Sequence, residues 1–116
     1  MEGKPIEENF EVIIKEGWLS KRSRFLKGWR KRWIVLTPNY ICTFKAQGNY
    51  NSPTEQILLS EFNSILPADE ELNKAGTFKM ITMDREFFFL AENQTDRDEW
   101  VSTLGQIFMH TGLKNL

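Results

Sequence analysis

The chain has 116 residues, of which 41% are hydrophobic and 27% charged, which is typical of one globular domain with a single core. Its net charge of −1 argues against a general nucleic-acid binder, and its single cysteine excludes an intrachain disulfide and indicates a reducing compartment such as the cytoplasm. Because no apolar run approaches the roughly 20 residues that span a bilayer, and neither a signal peptide nor a myristoylation glycine is found, we expect any membrane contact to be peripheral.

The N-terminal third of the chain combines an acidic tail with a strongly basic hairpin. Residues 1–12 are polar and acidic, and we expect them to form a tail. Side chains then alternate at period two, which predicts strands at residues 13–22 and 29–37. Residues 15–32 hold eight basic side chains and one acid, so the rest of the chain sums to −8. This local positive charge points to one site for one anionic partner.

One face of each hairpin strand changes from aliphatic to cationic along its length. On the first strand this face holds Gly17, Leu19 and Lys21. On the second strand it holds Arg30, Arg32, Ile34 and Leu36. In an antiparallel hairpin the cationic ends meet beside the loop and the aliphatic ends meet deeper in. The pattern therefore predicts a cup with an apolar floor and a positive mouth, which suits an anion with several charges.

The loop at residues 23–28 places two apolar side chains among basic ones. Phe25 and Leu26 lie between Arg24 and Lys27. Apolar residues at a basic loop tip suit insertion into a membrane interface beside anionic headgroups. The alternative is that one of the two folds back onto the wall of the domain. We predict that at least one of them inserts.

Five further short strands are bounded by turn-forming or polar segments. They are predicted at residues 40–45, 55–59, 62–66, 77–83 and 87–90. In the last of these, periodicity allows either Phe88 and Leu90 or Phe87 and Phe89 to face inward. The acidic segment 67–76 is predicted to be an exposed loop.

The pattern becomes helical at residues 96–111. Thr95 is the candidate N-cap, acids follow it in the first turn, and Gly112 is the candidate C-terminal cap. The apolar face holds Trp100, Val101, Leu104, Ile107 and Phe108. Seven strands and one amphipathic C-terminal helix predict a mainly β fold, in which two antiparallel sheets form a barrel or sandwich capped by the helix.

Both ends of this pattern carry motifs of a known family. They are Lys15-Glu16-Gly17-Trp18-Leu19, then Lys21-Arg22, then Trp29-Arg30-x-Arg32-Trp33, and finally the close from Phe88 to a tryptophan in the terminal helix, Trp100. The chain resembles pleckstrin homology (PH) domains over residues 14–108, and its first motif is similar to that of the protein kinase B PH domain. The resemblance implies a PH domain at residues 13–112, followed by a C-terminal end at 113–116, with the same helix-capped barrel.

The resemblance also implies a lipid-headgroup site on the first hairpin. Lys21 matches a lysine that reaches the ring phosphates, Arg32 matches the second-strand arginine most important for binding, and Arg30 matches its neighbour at the rim. Arg forks can bind phosphate bidentately, which fits this role. The other candidate ligands on the loop and the third strand are Arg22, Arg24, Lys27 and Lys45.

Two positions depart from the family pattern. Phe44 matches a position where many binders carry a tyrosine whose hydroxyl reaches the headgroup. Phe87 matches a position where the protein kinase B domain has an arginine, and Arg85 lies two residues before it. We therefore expect one hydrogen bond fewer at the headgroup, and the resemblance does not indicate which phosphoinositide is preferred.

These observations predict a binding module that recruits its protein to the cytosolic face of a membrane by recognising an anionic lipid headgroup, with a phosphoinositide as the favoured ligand. A simpler anionic lipid such as phosphatidic acid is an alternative ligand, and a protein partner on the same fold is an alternative function. Nucleic-acid binding is disfavoured by the net negative charge. The hypothesis that the basic hairpin is only a solvated surface is also disfavoured, because cationic and aliphatic residues share one face of each strand.

Catalysis is not expected. The single histidine, His110, lies near a helix end, and the single cysteine, Cys42, lies within a strand. The two are far apart in sequence, so no His near the thiol marks it as a nucleophile. No metal-ligand spacing, phosphate-binding glycine loop or nucleophile motif is found. We expect no metal and no cofactor.

Overall fold

A computed structural model describes residues 12–23, 25 and 27–110, with only the backbone at residue 110. All but the last residue of the predicted tail at 1–12 lies outside this part. So do Arg24, Leu26, the predicted cap Gly112 and the C-terminal end at 113–116. The predicted domain boundaries at 13 and 112 remain predictions.

The described chain folds into seven strands and two helices. Strands are β1 (Lys15–Arg22), β2 (Trp29–Leu36), β3 (Tyr40–Phe44), β4 (Glu55–Leu58), β5 (Phe62–Pro67), β6 (Thr77–Thr82) and β7 (Glu86–Leu90). Helices are α1 (Asp69–Leu72) and α2 (Gln94–His110), and a 3-10 turn (Leu59–Glu61) separates β4 from β5. The mainly β fold of seven antiparallel strands with a C-terminal helix is therefore confirmed, and each strand ends within one or two residues of its predicted bounds.

The strands form one antiparallel sheet in the order β4-β3-β2-β1-β7-β6-β5. Strand β1 pairs with β2 along its whole length, from Lys15 opposite Leu36 to Arg22 opposite Trp29. Its other edge pairs with β7 only at Ser20 and Lys21. The two predicted sheets are thus the two halves of one hydrogen-bonded ladder, joined by this short pairing.

Helix α2 packs its apolar face onto the sheet. Trp100 and Leu104 are buried with Phe78 and Met80 of β6 in the main core. Phe87 and Phe89 join the same core, which settles the open choice of inward residues in β7. The backbone at Gly17 lies close to this helix, because a β-carbon there would be in ordinary van der Waals contact, 3.6 Å, with Cζ2 of Trp100. The helix therefore packs directly beside the middle of β1.

Two local predictions need correction. The helix begins at Gln94 instead of residue 96, because the side-chain oxygen of Asn93 accepts a hydrogen bond from the backbone N–H of Asp96 at 2.8 Å. Asn93 therefore replaces Thr95 as the residue whose side chain caps the helix start, by accepting from one of its free N–H groups. The segment 67–76 is also more ordered than an exposed loop, since it contains the short helix α1.

The side chain that orders this segment is Arg97, which is 8% exposed. Its Nη1 donates to the carboxylate of Asp69 and, at 2.7 Å, to the carbonyl of Thr77, while Nε donates to Asp98 at 2.7 Å. The second oxygen of Asp69 accepts from the backbone N–H of Gly76 at 3.1 Å. Burial raises the pKa of Asp69, but the hydrogen bonds from Arg97 and Gly76 outweigh burial and hold its pKa below the ordinary 3.8. The contact ties α2 to α1 and β6.

Asp69→Asn should lower the free energy of unfolding by about 2 kcal/mol near neutral pH, because it leaves the buried guanidinium of Arg97 with a weaker partner. A carboxyl whose pKa is lowered in the folded state stabilises fully above its unfolded pKa and loses this contribution as the pH falls further. The difference between the two proteins should therefore shrink below pH 3.8. Urea unfolding at several pH values measures it.

The matched control is Glu92→Gln, which removes an exposed carboxylate just before α2. It should change the unfolding free energy by less than about 0.5 kcal/mol. Equal losses in the two variants would contradict a specific role of the Asp69 contact.

Candidate anion-binding pocket

The first hairpin brings its cationic residues together at one end. In the β1–β2 register Lys21 lies opposite Arg30, Leu19 opposite Arg32, and Gly17 opposite Ile34. Leu19 and Ile34 are almost fully buried. Apolar side chains therefore lie deeper along this face, and the cations lie beside the connecting loop, as the alternation predicted.

A cavity of about 480 Å³ opens at this end of the sheet. Five cationic side chains line it: Lys21, Arg22, Arg30, Arg32 and Arg85. The remaining lining comes from Ser23, Phe25, Thr43, Thr54 and a single acid, Glu55. An excess of four positive charges in one concavity makes this pocket a strong candidate site for an anion with several charges.

The single acid pairs with two of the five cations. One carboxylate oxygen of Glu55 lies 2.7 Å from Nζ of Lys21, and the other lies 2.7 Å from Nη1 of Arg85. The Arg85 guanidinium also stacks 3.8 Å from the ring centroid of Phe87, and Lys21 lies 5.7 Å from the same ring. These contacts fix both cations on one wall of the pocket.

The ion pairs keep Glu55 charged. Burial alone would raise the pKa of its carboxyl, but the hydrogen bonds and charges of Lys21 and Arg85 outweigh burial and hold the pKa below the ordinary 4.5. At neutral pH the pocket therefore contains a carboxylate that shares its two oxygens between two cations.

The other pocket cations are differently placed. Among the described residues, no acid lies within ion-pair distance of Arg22, Arg30 or Arg32. Arg32 donates from Nη1 to the backbone carbonyl of Lys31 at 2.9 Å, which holds its side chain along β2. These arginines can therefore approach an external anion without first leaving an acid.

Two threonines, Thr43 and Thr54, line the pocket on the side of β3 and β4. Thr54 donates its backbone N–H to the carbonyl of Thr43 at 2.7 Å and its hydroxyl to the same carbonyl at 3.0 Å. Their hydroxyl oxygens lie 2.5 Å apart. This pair anchors the start of β4 to β3, and thereby positions Glu55, which is the first residue of β4.

The loop between β1 and β2 is closed by backbone bonds from Ser23 N–H to the Gly28 carbonyl and from Lys27 N–H to the Ser23 carbonyl. Phe25 is 83% exposed at this loop and lines the rim of the pocket. This exposure is compatible with the predicted insertion of Phe25 into a membrane. It disfavours the alternative in which the ring of Phe25 folds back onto the wall of the domain. The role itself stays a prediction, and the other candidate, Leu26, lies outside the described residues.

Two predicted ligands, Lys27 and Lys45, are not part of the pocket lining. Lys27 lines a smaller neighbouring cleft between the β1–β2 loop and the start of β7, which it shares with Arg22 and Arg85. Lys45 is exposed just past the end of β3 and does not line the pocket. Arg24 lies outside the described residues. The headgroup contacts predicted for these three residues remain predictions.

The structure shows where the two positions that depart from the family pattern lie relative to the pocket. Phe44 pairs with Trp33 and is buried with it in a second apolar cluster on the opposite side of the sheet from the pocket. A tyrosine there would not reach the pocket, so the expected loss of a hydrogen bond is wrong. Arg85 lines the pocket although it lies two residues before Phe87, because the β6–β7 turn lies beside the first hairpin.

Sequence reasoning missed Glu55, Arg85 and the two threonines as pocket residues. Thr43 carried no signal of its own, because it is one of four consecutive buried positions of β3. The other three belong to segments whose positions depend on pairings distant in sequence. The contact between Arg85 and Glu55, for example, joins residues 30 positions apart.

Within residues 12–23, 25 and 27–110, no group of three or more His, Cys, Asp or Glu side chains is arranged to hold a metal ion. In the same part of the chain, no helix combines the length and apolar character required to cross a bilayer. Cys42 is fully buried in β3, as expected for a small apolar residue.

Comparison with known sequences adds an independent observation. The sequence profile of the PH domain family matches residues 13–107. The chain is 28% identical over 112 residues to "Pleckstrin homology domain-containing protein 1" of Arabidopsis thaliana, a match that covers 88% of this chain and 77% of that protein. It spans only 20% and 26% of two other curated relatives, which are larger proteins.

Similar folds are also found among solved structures. The PH domain of Slm1 in complex with inositol-4-phosphate superposes with a TM-score of 0.70 at 25% identity, covering 83% of this chain and 97% of that one. The C-terminal PH domain of pleckstrin in complex with an inositol pentakisphosphate gives a TM-score of 0.71 at 27% identity, covering 84% and 96%. Both similar domains have therefore been crystallised with inositol phosphates.

Because Lys21 and Arg85 stabilise the charged form of Glu55, its carboxyl should titrate with a midpoint below 4.5 in the folded protein. Arg85→Gln should raise this midpoint by removing one partner. Arg22→Gln is the matched control, since Arg22 lines the same pocket without pairing with Glu55, and it should shift the midpoint less. Carbon-detected NMR of the Glu55 carboxyl against pH measures all three, and a wild-type midpoint at or above 4.5 would contradict the observed pairing.

Proposed function

This chain belongs to the PH domain family, and we propose that it is a binding module that recruits its protein to a membrane by recognising the anionic headgroup of a phosphoinositide. The membrane would be met from its cytosolic side, and the contact would be peripheral. PH domains are generally binding modules, and we propose no enzymatic activity and no cofactor for this one.

The observation that carries the proposal is the concentration of charge in one pocket. Five of the chain's fifteen basic residues line a single cavity, although the whole chain has a net charge of −1. A cationic concavity on a slightly anionic protein attracts an anion to one place, and repels the same anion elsewhere. This distribution fits recognition of one compact polyanion better than binding along an extended one.

The similar solved domains support the chemical class of the ligand. Slm1 and pleckstrin PH domains, with TM-scores of about 0.7 to this chain, were solved with inositol phosphates. An inositol phosphate headgroup presents several phosphates on one ring, and guanidinium groups bind such phosphates with paired hydrogen bonds. The pocket has the charge and the arginine content that this chemistry requires.

The proposed mechanism has two steps. The positive end of the domain is first drawn to an anionic bilayer, where each basic residue near the surface contributes about 1 kcal/mol. Arg30 and Arg32 then bind phosphate groups of one headgroup, with Lys21 on the facing strand. Phe25 at the loop rim enters the interface between lipids, where burial of its ring adds to the affinity.

Arg32→Gln should weaken binding to phosphoinositide-containing vesicles by about tenfold or more, because it removes a charged fork from the pocket while keeping a side chain of similar length. Co-sedimentation with vesicles of phosphatidylcholine carrying one phosphoinositide, phosphatidic acid or phosphatidylserine, at two salt concentrations, measures the change. Lys74→Gln, which removes an equal charge from the exposed β5–β6 connection, is the control and should bind nearly as wild type.

The same panel separates the alternatives. Binding to every anionic lipid in proportion to charge, with equal losses in the two variants, would mean a general anionic-lipid binder such as one for phosphatidic acid. Absence of binding to all vesicles would overturn the lipid proposal, and would favour a protein partner for this fold.

Phe25→Ser should reduce affinity for phosphoinositide vesicles by about tenfold, since the lost burial of one aromatic ring is worth roughly that factor. It should leave affinity for the soluble headgroup unchanged, because insertion needs a bilayer. Val12→Ser, at another exposed apolar side chain, is the control. Surface plasmon resonance on vesicles and calorimetry with the soluble inositol phosphate give the two affinities. Equal affinities of wild type and Phe25→Ser for vesicles would rule out insertion by this residue.

A further inference from the structure

The carboxylate of Glu55 occupies part of a pocket that otherwise consists of cations and neutral groups. Its two oxygens lie 2.7 Å from Lys21 and 2.7 Å from Arg85, which are the distances that the oxygens of a bound phosphate would take. Its side chain is 28% exposed, so it lies at the wall of the cavity and is reached by solvent. In charge and geometry, Glu55 stands where an anionic ligand group would bind.

From this geometry we propose that Glu55 is an internal competitor that sets the ligand specificity of the pocket, by holding Lys21 and Arg85 until a polyphosphate displaces it. The proposal rests on the function proposed above. It divides the pocket into two subsites: an open one at Arg30 and Arg32, and one at Lys21 and Arg85 that is already filled.

The pairing of Glu55 with Arg85 is incomplete, which favours exchange. A carboxylate can take both edges of one guanidinium, but Glu55 gives only one oxygen to Arg85 and the other to Lys21. In the described part of the chain, the buried Nε of Arg85 has no hydrogen-bond acceptor. A phosphate has three terminal oxygens, so it could contact the ammonium of Lys21 and the terminal nitrogens of Arg85 with more oxygens than one carboxylate offers.

The backbone supports a stable position for the competitor. Glu55 begins β4 and follows Thr54, whose backbone and side chain are both bonded to Thr43. Thus the chain at this point is fixed to β3, and only the side chain has to move for the second subsite to open. The lowered pKa of Glu55 keeps the competing carboxylate ionised at neutral pH.

The consequence is a preference that depends on the number of phosphates. A ligand with one phosphate can bind at Arg30 and Arg32 without disturbing Glu55. A ligand with several phosphates gains Lys21 and Arg85 only after their pairs with Glu55 are broken, so part of its extra affinity is lost. Wild-type protein should therefore discriminate less strongly in favour of polyphosphates than the number of pocket cations suggests.

Isothermal titration calorimetry with soluble inositol 4-phosphate and inositol 1,3,4,5-tetrakisphosphate tests the proposal. Glu55→Gln should increase affinity for the tetrakisphosphate by about tenfold or more, and affinity for the monophosphate by less than about threefold. Adding Arg85→Gln to Glu55→Gln should remove most of the gain. Glu61→Gln removes an equal charge from the 3-10 turn and is the control for general electrostatics.

Vesicles carrying the corresponding phosphoinositides repeat the comparison for membrane-bound headgroups. A gain with soluble ligands alone would assign the effect to free inositol phosphates, and a gain in both formats would assign it to the shared headgroup. If Glu55→Gln binds the tetrakisphosphate equally or more weakly than wild type, Glu55 is a scaffold for Lys21 and Arg85, and the competitor proposal is overturned while lipid binding stands. If no inositol phosphate or vesicle binds to any of these proteins, both proposals fail.

A measurement on wild-type protein tests the proposal even if the Glu55 variants fold poorly. Saturating tetrakisphosphate should break the pairs of Glu55, and its carboxyl, now beside phosphates, should titrate at a higher pH by NMR. An unchanged midpoint in the saturated protein would mean that Glu55 keeps its partners when the ligand binds, and this too would overturn the proposal.

Discussion

The pairing of β1 on both of its edges is the constraint on which the rest of this fold depends. One edge binds β2 along eight residue pairs, and the other binds β7 through Ser20 and Lys21 alone. This short second pairing joins the two halves of the sheet, and brings the β6–β7 turn beside the first hairpin. The residue at the join, Lys21, also lines the pocket. The same strand pairing therefore joins the two halves of the sheet and brings the pocket residues together.

The sequence predicted the hairpin well, because its two paired strands are adjacent in the chain and joined by a short loop. Period-two alternation fixed which side chains share a face, and antiparallel pairing then placed Lys21 opposite Arg30. It could not predict Glu55 or Arg85, whose place in the pocket depends on loop lengths, on the β3–β4 pairing and on the β1–β7 join. The error at Phe44 has a related cause, since matching a position to a family pattern does not show which face of the strand it occupies. The helix start moved because Asn93 competed successfully with Thr95 as the cap.

Five cations around one cavity repel each other whenever no anion is bound. Within the chain, Glu55 pairs with two of the five cations and offsets one positive charge, and the ring of Phe87 stacks on one of these two, Arg85. The remaining three arginines keep their charge directed at the cavity. Local stability and attraction for an external anion are thus divided among different residues of the same pocket.

The order of the strands leaves β4 and β5 as the two outer edges of an open sheet. Strand β4 has only four residues and runs directly into a 3-10 turn, whereas β5 has a register irregularity after Phe62 and ends at Pro67, which lacks an N–H. Short, irregular and proline-terminated edges hinder the addition of further strands. If copies of the domain are concentrated on one membrane, as proposed above, these edges should hinder the pairing of strands between neighbouring molecules.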